Sequence, residues 1–250
     1  MQTVGYAAQS PEAALAPMAF ERRALRDNDV AIEITHCGVC HSDLHTARND
    51  WGWTRYPVIP GHEIVGKVMA VAPGVIRYKV GDRVAVGCLV DSCMECDQCD
   101  KGEEQLCRHG ATATYSGVDR VDGAPTHGGY SKAIVVREEF VVKVPDSLDM
   151  AHAAPLLCAG ITVYSPLRMW NVGEGTRVGV VGLGGLGHMA VKLAVAMGAR
   201  VTVLSRTKDK EADALALGAH ALLVSGDADA MRDARGSLDV IIDTVPVEHD

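Results

Sequence analysis

Basic runs, internal repeats, low-complexity tracts and long uninterrupted apolar stretches are all missing from this sequence of 250 residues. Without clustered cations, and with 24 Lys and Arg against 32 Asp and Glu for a formal charge of -8, the chain is not expected to bind nucleic acid or an anionic membrane. The first residues, Met1-Gln2-Thr3-Val4-Gly5-Tyr6, carry neither a cationic segment nor a following apolar core, so no secretory signal is expected. The apolar region 178–204 is broken by glycines, His188, Lys192 and Arg200, which a membrane span tolerates poorly. A cytoplasmic protein is the expectation. What the chain does have is an apolar content of 48%, ample for the packed cores of one or two domains.

Residues 177–187 read Arg-Val-Gly-Val-Val-Gly-Leu-Gly-Gly-Leu-Gly. A short β-branched run is followed by Gly182, Gly184 and Gly187 in G-x-G-x-x-G spacing, with Leu183, Gly185 and Leu186 between them. A helical pattern then runs to a stop at Gly198. Strand, tight turn and helix are the context in which this motif holds a dinucleotide. The first glycine permits the turn, the second lets the backbone approach a pyrophosphate, and the third lets the helix pack on the strand. About 20 residues further on, NAD sites place an acid that reads the ribose. Here that acid is missing. Ser205, Arg206, Thr207 and Lys208 stand in its place, with Lys210 beyond. Cations and hydroxyls suit a 2′-phosphate, which an Asp would repel, so NADP(H) is the expected cofactor. The plainer alternative is a solvated helix start.

Residues 1–150 form a mostly β half, read as a closed or partly closed barrel from runs at 30–35, 64–71, 84–86, 131–136 and 140–144. Pro145-Asp146-Ser147 punctuates the chain, and from 151 to 250 apolar helices alternate with strands. Eight cysteines in a chain of this length without a secretory signal suggest thiolate ligation rather than a disulfide scaffold. Cys93, Cys96, Cys99 and Cys107 follow C-x2-C-x2-C-x7-C, which lets four sulfurs close a tetrahedron on one loop. Four thiolates leave no open position, so zinc here is structural. An iron–sulfur cluster is the rival, and only the whole-chain context decides for zinc. Cys40, His62 and Cys158 are dispersed, and taken singly each reads as an ordinary buried residue, as do His36, Cys37, Cys88 and His152.

Several motifs taken together resemble the zinc-dependent medium-chain alcohol dehydrogenases. They are Gly61-His62-Glu63 with Gly66, Val80-Gly81-Asp82-Arg83-Val84, the four-cysteine loop and the glycine turn. Residues 37–45, Gly128-Gly129-Tyr130-Ser131 and residues 158–164 resemble the cinnamyl alcohol dehydrogenase branch and its bacterial NADP-dependent aldehyde reductases. The resemblance implies an α/β chain, with a GroES-like catalytic domain over 1–150, a Rossmann domain over 151–250, and the active site in the cleft between them. It gathers Cys40, His62 and Cys158 onto a catalytic zinc, the Cys2His set known for alcohol dehydrogenases. Two zinc ions per chain are implied, with Glu63 as an alternative ligand and Asp43 holding the far ring nitrogen of His62. Hydride transfer between a small primary alcohol or aldehyde and NADP(H) is the implied reaction. Ser42 and His45 are the implied proton relay, His41 a pyrophosphate contact and Thr162 a contact near the nicotinamide.

For the substrate pocket, Cys88 and Leu89 resemble one wall, and Trp51 and Trp53 offer another or pack in a loop. Ala111-Thr112-Ala113-Thr114, with one extra residue before Tyr115, departs from the aromatic wall of the plant members. A broad preference for apolar primary alcohols and aldehydes is therefore expected. The third and fourth strands of the second domain are read at 221–224 and 238–244, and most of the second mononucleotide half is absent, along with the strands through which the resembling family forms homodimers. The expectation is a C-terminally truncated Rossmann domain with an aggregation-prone edge. A zinc-free reductase of the same fold would lack Cys40, His62 and Cys158. A non-catalytic zinc- and nucleotide-binding relative is the remaining alternative.

Overall fold

The computed structural model describes residues 1–249. The chain divides into two compact units, 1–158 and 159 onward. In the first unit, β3 (Asp29–Cys37), β4 (Ile64–Val71), β5 (Arg83–Val86), β8 (Ala133–Arg137) and β9 (Val142–Lys143) form an antiparallel sheet in the order β8-β3-β4-β5-β9. Alternate residues Val30, Ile32, Ile64, Val68, Val84, Val86, Ile134 and Val136 fill its core. Each such burial contributes roughly 1.5–3 kcal/mol. β1 (Gln2–Ala7) with β2 (Ala16–Glu21), and β6 (Leu89–Asp91) with β7 (Thr112–Ala113), make separate two-stranded ribbons. Among the described residues the main ladder does not close into a ring: β8 and β9 are its two edges, and β1 touches the chain just before β8 only through the Gly5–Ser131 bridge.

Helix α1 (His41–Arg48) follows β3, and α2 (Met150–Ala153) runs into a 3-10 turn, Ala154–Leu157. Ala153 and Ala154 pack with Val65, Ala85 and Val144, so this segment belongs to the β unit. The units consequently part after Cys158, beyond the punctuation that suggested residue 150.

The second unit is a parallel sheet in the order β12-β11-β10-β13, built from β10 (Arg177–Val181), β11 (Arg200–Ser205), β12 (Ala221–Val224) and β13 (Val240–Asp243). Helices α3 (Ala159–Met169), α4 (Gly185–Ala196), α5 (Glu211–Ala216) and α6 (Ala228–Asp233) connect or flank the strands. Val178, Val180, Val201 and Val203 pack with Ala190, Val191 and Ala194 of α4. The ends of β10 and β13 are tied by Arg177, whose guanidinium pairs with Asp239 at 2.5 Å and holds that carboxyl down at about 2. No single helix among the described residues is long and apolar enough to cross a membrane.

Candidate active site

Strand pairing brings the dispersed ligands together. In the β3–β4 ladder Cys37 is the partner of Ile64. Cys40, just beyond the end of β3, therefore lies beside His62, just before the start of β4. Ile64 also pairs with Val86 at the end of β5. The next residue, Gly87, runs close beneath Leu157, where a Cβ would lie 3.0 Å from the Leu157 carbonyl oxygen. Cys158 follows directly. The Cys40 and Cys158 sulfurs end 4.0 Å apart, and the donor atoms of Cys40, His62, Glu63 and Cys158 all lie within 4.8 Å of one another.

The donor set fits zinc. A tetrahedron with arms of about 2.3 Å has edges of about 3.8 Å, close to the observed sulfur separation. Asp43 fixes the histidine. Its Oδ1 accepts from His62 Nδ1 at 2.9 Å and from the Gly61 N–H at 2.8 Å, while Oδ2 accepts from the Cys40 N–H at 3.1 Å and from the Tyr130 hydroxyl at 2.9 Å. With Nδ1 engaged in this way, the other ring nitrogen remains as the donor toward the two sulfurs. Burial pulls His62 toward neutrality, but the Asp43 hydrogen bond and the Cys158 and Cys40 sulfurs outweigh it and raise its pKa. Cys40 is pushed up to about 11, chiefly by Cys158.

Local structure holds the arrangement. Cys40 is the N-cap of α1, and its N–H meets the Asp43 carboxylate in a capping box, so the helix start and the ligand position are one feature. Gly61 has φ +101, and a Cβ there would come within 2.7 Å of the Tyr130 ring and 2.9 Å of Cys37 Sγ. The Glu63 carboxylate fills the space a side chain at position 38 would need, 1.9 Å from where that Cβ would be. Arg22, buried, donates to the carbonyls of Ala133, His127 and Gly128 and to Ser131 Oγ at 2.6–2.9 Å, anchoring the segment that presents Tyr130. Burial, with Arg23 adjacent, lowers Arg22 to about 9, still cationic at neutral pH.

Two tyrosines belong to this centre that sequence reasoning did not place there. Tyr115 is buried, with its ring edge-on to His62 and its hydroxyl 3.1 Å from His62 Nδ1. Tyr130 supports Asp43 as described. No local pattern announces either role, although Tyr130 lies within the quoted Gly128–Ser131 motif. Cys88, read as bland or as a pocket wall, lies beside Cys158, whose thiol lowers its pKa. Trp51 and Trp53 stack at 5.5 Å, half exposed, with His45 against Trp51 at 5.3 Å. His45 Nδ1 is held by Asp50 at 2.7 Å, Ser42 lies against the Cys40 thiol, and His41 is exposed at the start of α1.

The four-cysteine loop runs between β6 and β7. All four sulfurs lie within 4.8 Å of one another, with Cys93–Cys99 and Cys96–Cys99 separations of 3.8 and 3.6 Å. These again match the edge of a zinc–thiolate tetrahedron. Backbone N–H groups of Arg108 and Cys99 draw the Cys96 thiol down to about 6, favouring the thiolate.

In the second unit, the glycine turn joins β10 to α4. A Cβ on Gly187 would fall 2.2 Å from the Gly182 carbonyl, so the helix packs on the turn only with glycine there. A Cβ on Gly184 or Gly185 would meet nothing within 4 Å, which leaves open the space a pyrophosphate needs at the helix N-terminus. Lys210 Nζ donates to the Leu183 carbonyl at 3.2 Å, bringing the end of the cationic segment to the turn. Ser205 is half-buried, while Arg206, Thr207 and Lys208 are exposed, and among the described residues neither Arg206 nor Lys208 pairs with a carboxylate. Thr162 is exposed on α3.

Residues 26–146 match the alcohol dehydrogenase GroES-like domain, and residues 185–250 match the zinc-binding dehydrogenase family. NADP-dependent alcohol dehydrogenase C 1 of Mycolicibacterium smegmatis is 55% identical over 252 residues, spanning 100% of this chain and 72% of that protein. The cinnamyl alcohol dehydrogenase structure of Sorghum bicolor superposes with a TM-score of 0.95 at 50% identity, covering 100% of this chain and 71% of that one. The Helicobacter pylori enzyme solved with NADP(H) superposes at 0.91 with 44% identity, over 100% and 70% of the two chains. These likenesses extend across both units, and the chain carries the two thiolate-rich donor sets that the family's zinc requires. The chain belongs to the zinc-dependent medium-chain alcohol dehydrogenases, alongside the cinnamyl alcohol dehydrogenases and their bacterial NADP-dependent counterparts.

Proposed function

We propose that this chain interconverts apolar primary alcohols and aldehydes by hydride exchange with NADP(H). The observation that carries this reading is the convergence of Cys40, His62 and Cys158, with Glu63 as a fourth donor, around one point. Three ligands plus an exchangeable fourth position is the pattern of a catalytic zinc, whereas Cys93, Cys96, Cys99 and Cys107 form a closed structural set. When bound, zinc supplies Lewis acidity toward the substrate oxygen, and NADP(H) supplies or accepts the hydride.

The chain's own groups position the reactants and move the proton. Asp43 orients His62, and Glu63 offers a carboxylate that exchanges with water or substrate at the fourth position. Ser42 Oγ takes the hydroxyl proton of the alcohol. His45, three residues on and therefore on the same face of α1, passes it toward solvent, its ring held by Asp50. Gly182, Leu183, Gly184, Gly185, Leu186 and Gly187 cradle the pyrophosphate, with His41 a further contact. Thr162 lies near the nicotinamide. Ser205, Arg206, Thr207 and Lys210 hold the 2′-phosphate through charge-assisted hydrogen bonds. When full length, the protein acts in the cytoplasm as a homodimer, without nucleic acid or membrane as partner, in keeping with the net charge of -8 carried by these residues.

Reduction of benzaldehyde with NADPH, followed at 340 nm beside a zinc assay, tests the reading. Turnover with two zinc ions per chain is expected, and Cys40→Ser should abolish turnover while leaving one ion bound. Bound zinc with no turnover of any aldehyde would instead support a binding protein.

A further inference from the structure

Cys93 belongs to two donor sets. Besides the four-sulfur set, its Sγ lies within 4.8 Å of a carboxylate oxygen of Glu95 and a ring nitrogen of His109, which are likewise within that distance of each other. Glu95 and His109 are exposed and Cys93 is half-buried, whereas Cys99 and Cys107 are each only 7% exposed. Sulfur, oxygen and imidazole nitrogen are all zinc donors, and three of them at the surface leave a position open to water. The nearby acid Asp97 is already engaged by Arg108 and Lys101.

A hydrated ion approaching the loop must shed water before the buried sulfurs can close on it. An exposed carboxylate and imidazole can take it while it is still partly hydrated. Because Cys93 is common to both sets, the ion can then pass inward without leaving the protein. We propose that Cys93, Glu95 and His109 form a capture site through which zinc reaches and leaves the four-cysteine loop. In the transfer the bonds to Glu95 oxygen and His109 nitrogen break as bonds to the sulfurs of Cys96, Cys99 and Cys107 form. Any thiol protons go to solvent, and no electron moves. The proposal rests on the reading of the four-cysteine loop as a zinc site.

The test adds cadmium-113 to the zinc-loaded chain and follows exchange by NMR, in which a four-thiolate site and the mixed Cys40–His62–Cys158 site resolve. In the double variant Glu95→Gln with His109→Ala, exchange into the four-thiolate site should slow severalfold relative to wild type. Exchange into the mixed site, the final occupancy and the melting temperature should not change, and Glu103→Gln should behave as wild type. Equal rates in the double variant would overturn the proposal, as would equal slowing in Glu103→Gln, which would reduce the effect to charge. A persistent third cadmium lost only in the double variant would also overturn it, in favour of a static site. No four-thiolate signal in any protein would remove the underlying zinc reading as well, an outcome distinct from all the others.

Discussion

The Tyr130 hydroxyl donates to Asp43 Oδ2 at 2.9 Å, on the oxygen opposite the one that holds His62. Asp43 is thereby saturated by four donors in a buried place, and any one of them lost leaves part of a carboxylate charge uncompensated. A hydrogen bond to a charged group contributes about 1.5–3 kcal/mol.

Tyr130→Phe should therefore loosen His62. Partners of metal-bound histidines typically cost about 10- to 100-fold in metal affinity or activity when removed. Zinc release to a chelator should accelerate at the Cys40–His62–Cys158 site and not at the four-cysteine loop. Equal release from both sites would show that Tyr130 acts on the fold as a whole.

Gly61→Ala should destabilise the β unit through two effects at once: a φ of +101 and a Cβ pressed against Tyr130 and Cys37. Backbone strain of this kind costs about 1–3 kcal/mol. The thermal midpoint should fall, and the zinc site beside Asp43 should be lost first, because the Gly61 N–H is one of the Asp43 donors. An unchanged midpoint with full zinc content would refute this account of the Gly61-His62-Glu63 motif.

His127 sits edge-on to Phe20 with Nδ1 buried and unpartnered among the described residues. Burial, with Arg22 nearby, lowers its pKa from 6.5 to about 4. Between those values the unfolded chain binds a proton that the folded chain refuses, so this contribution is fully present above pH 6.5 and is lost as pH falls toward 4. Urea midpoints measured at pH 7.5 and 5 should differ more for wild type than for His127→Phe. The same difference in both proteins would exclude His127 as a source of acid sensitivity.

Ser205→Asp with Arg206→Ala places an acid where a 2′-phosphate is proposed to bind and removes a cation. Two charge-assisted contacts at about 1.5–3 kcal/mol each predict at least a tenfold rise in KM for NADPH, with NADH gaining. Unchanged cofactor selectivity would assign the proposed contacts elsewhere.

Legibility in the sequence followed the physics of each segment. The run 64–71 was readable because its β-rich residues fill a buried strand, and β4 has those bounds. The glycine turn was readable because steric limits at Gly187 act within a few residues. β2 was not: its residues alternate only between half-buried and exposed and include Pro17, so no apolar face marks it. α1 was missed for a related reason. The residues it buries are Asp43 and Thr46, both polar, and no apolar stripe signals a helix whose inner face serves a metal site.

The sequence by itself determined the four-cysteine loop, because spacings of a few residues let one loop fold its own sulfurs inward. It also determined the strand–turn–helix whose backbone is open at Gly184 and Gly185. Only the tertiary structure decided that Cys40 and Cys158, separated by 118 positions, share a point with His62, and that Tyr115 and Tyr130 close around it. Those contacts depend on the register of β3 on β4 and of β4 on β5, which sums interactions along whole strands. No spacing between the contacting residues encodes that sum.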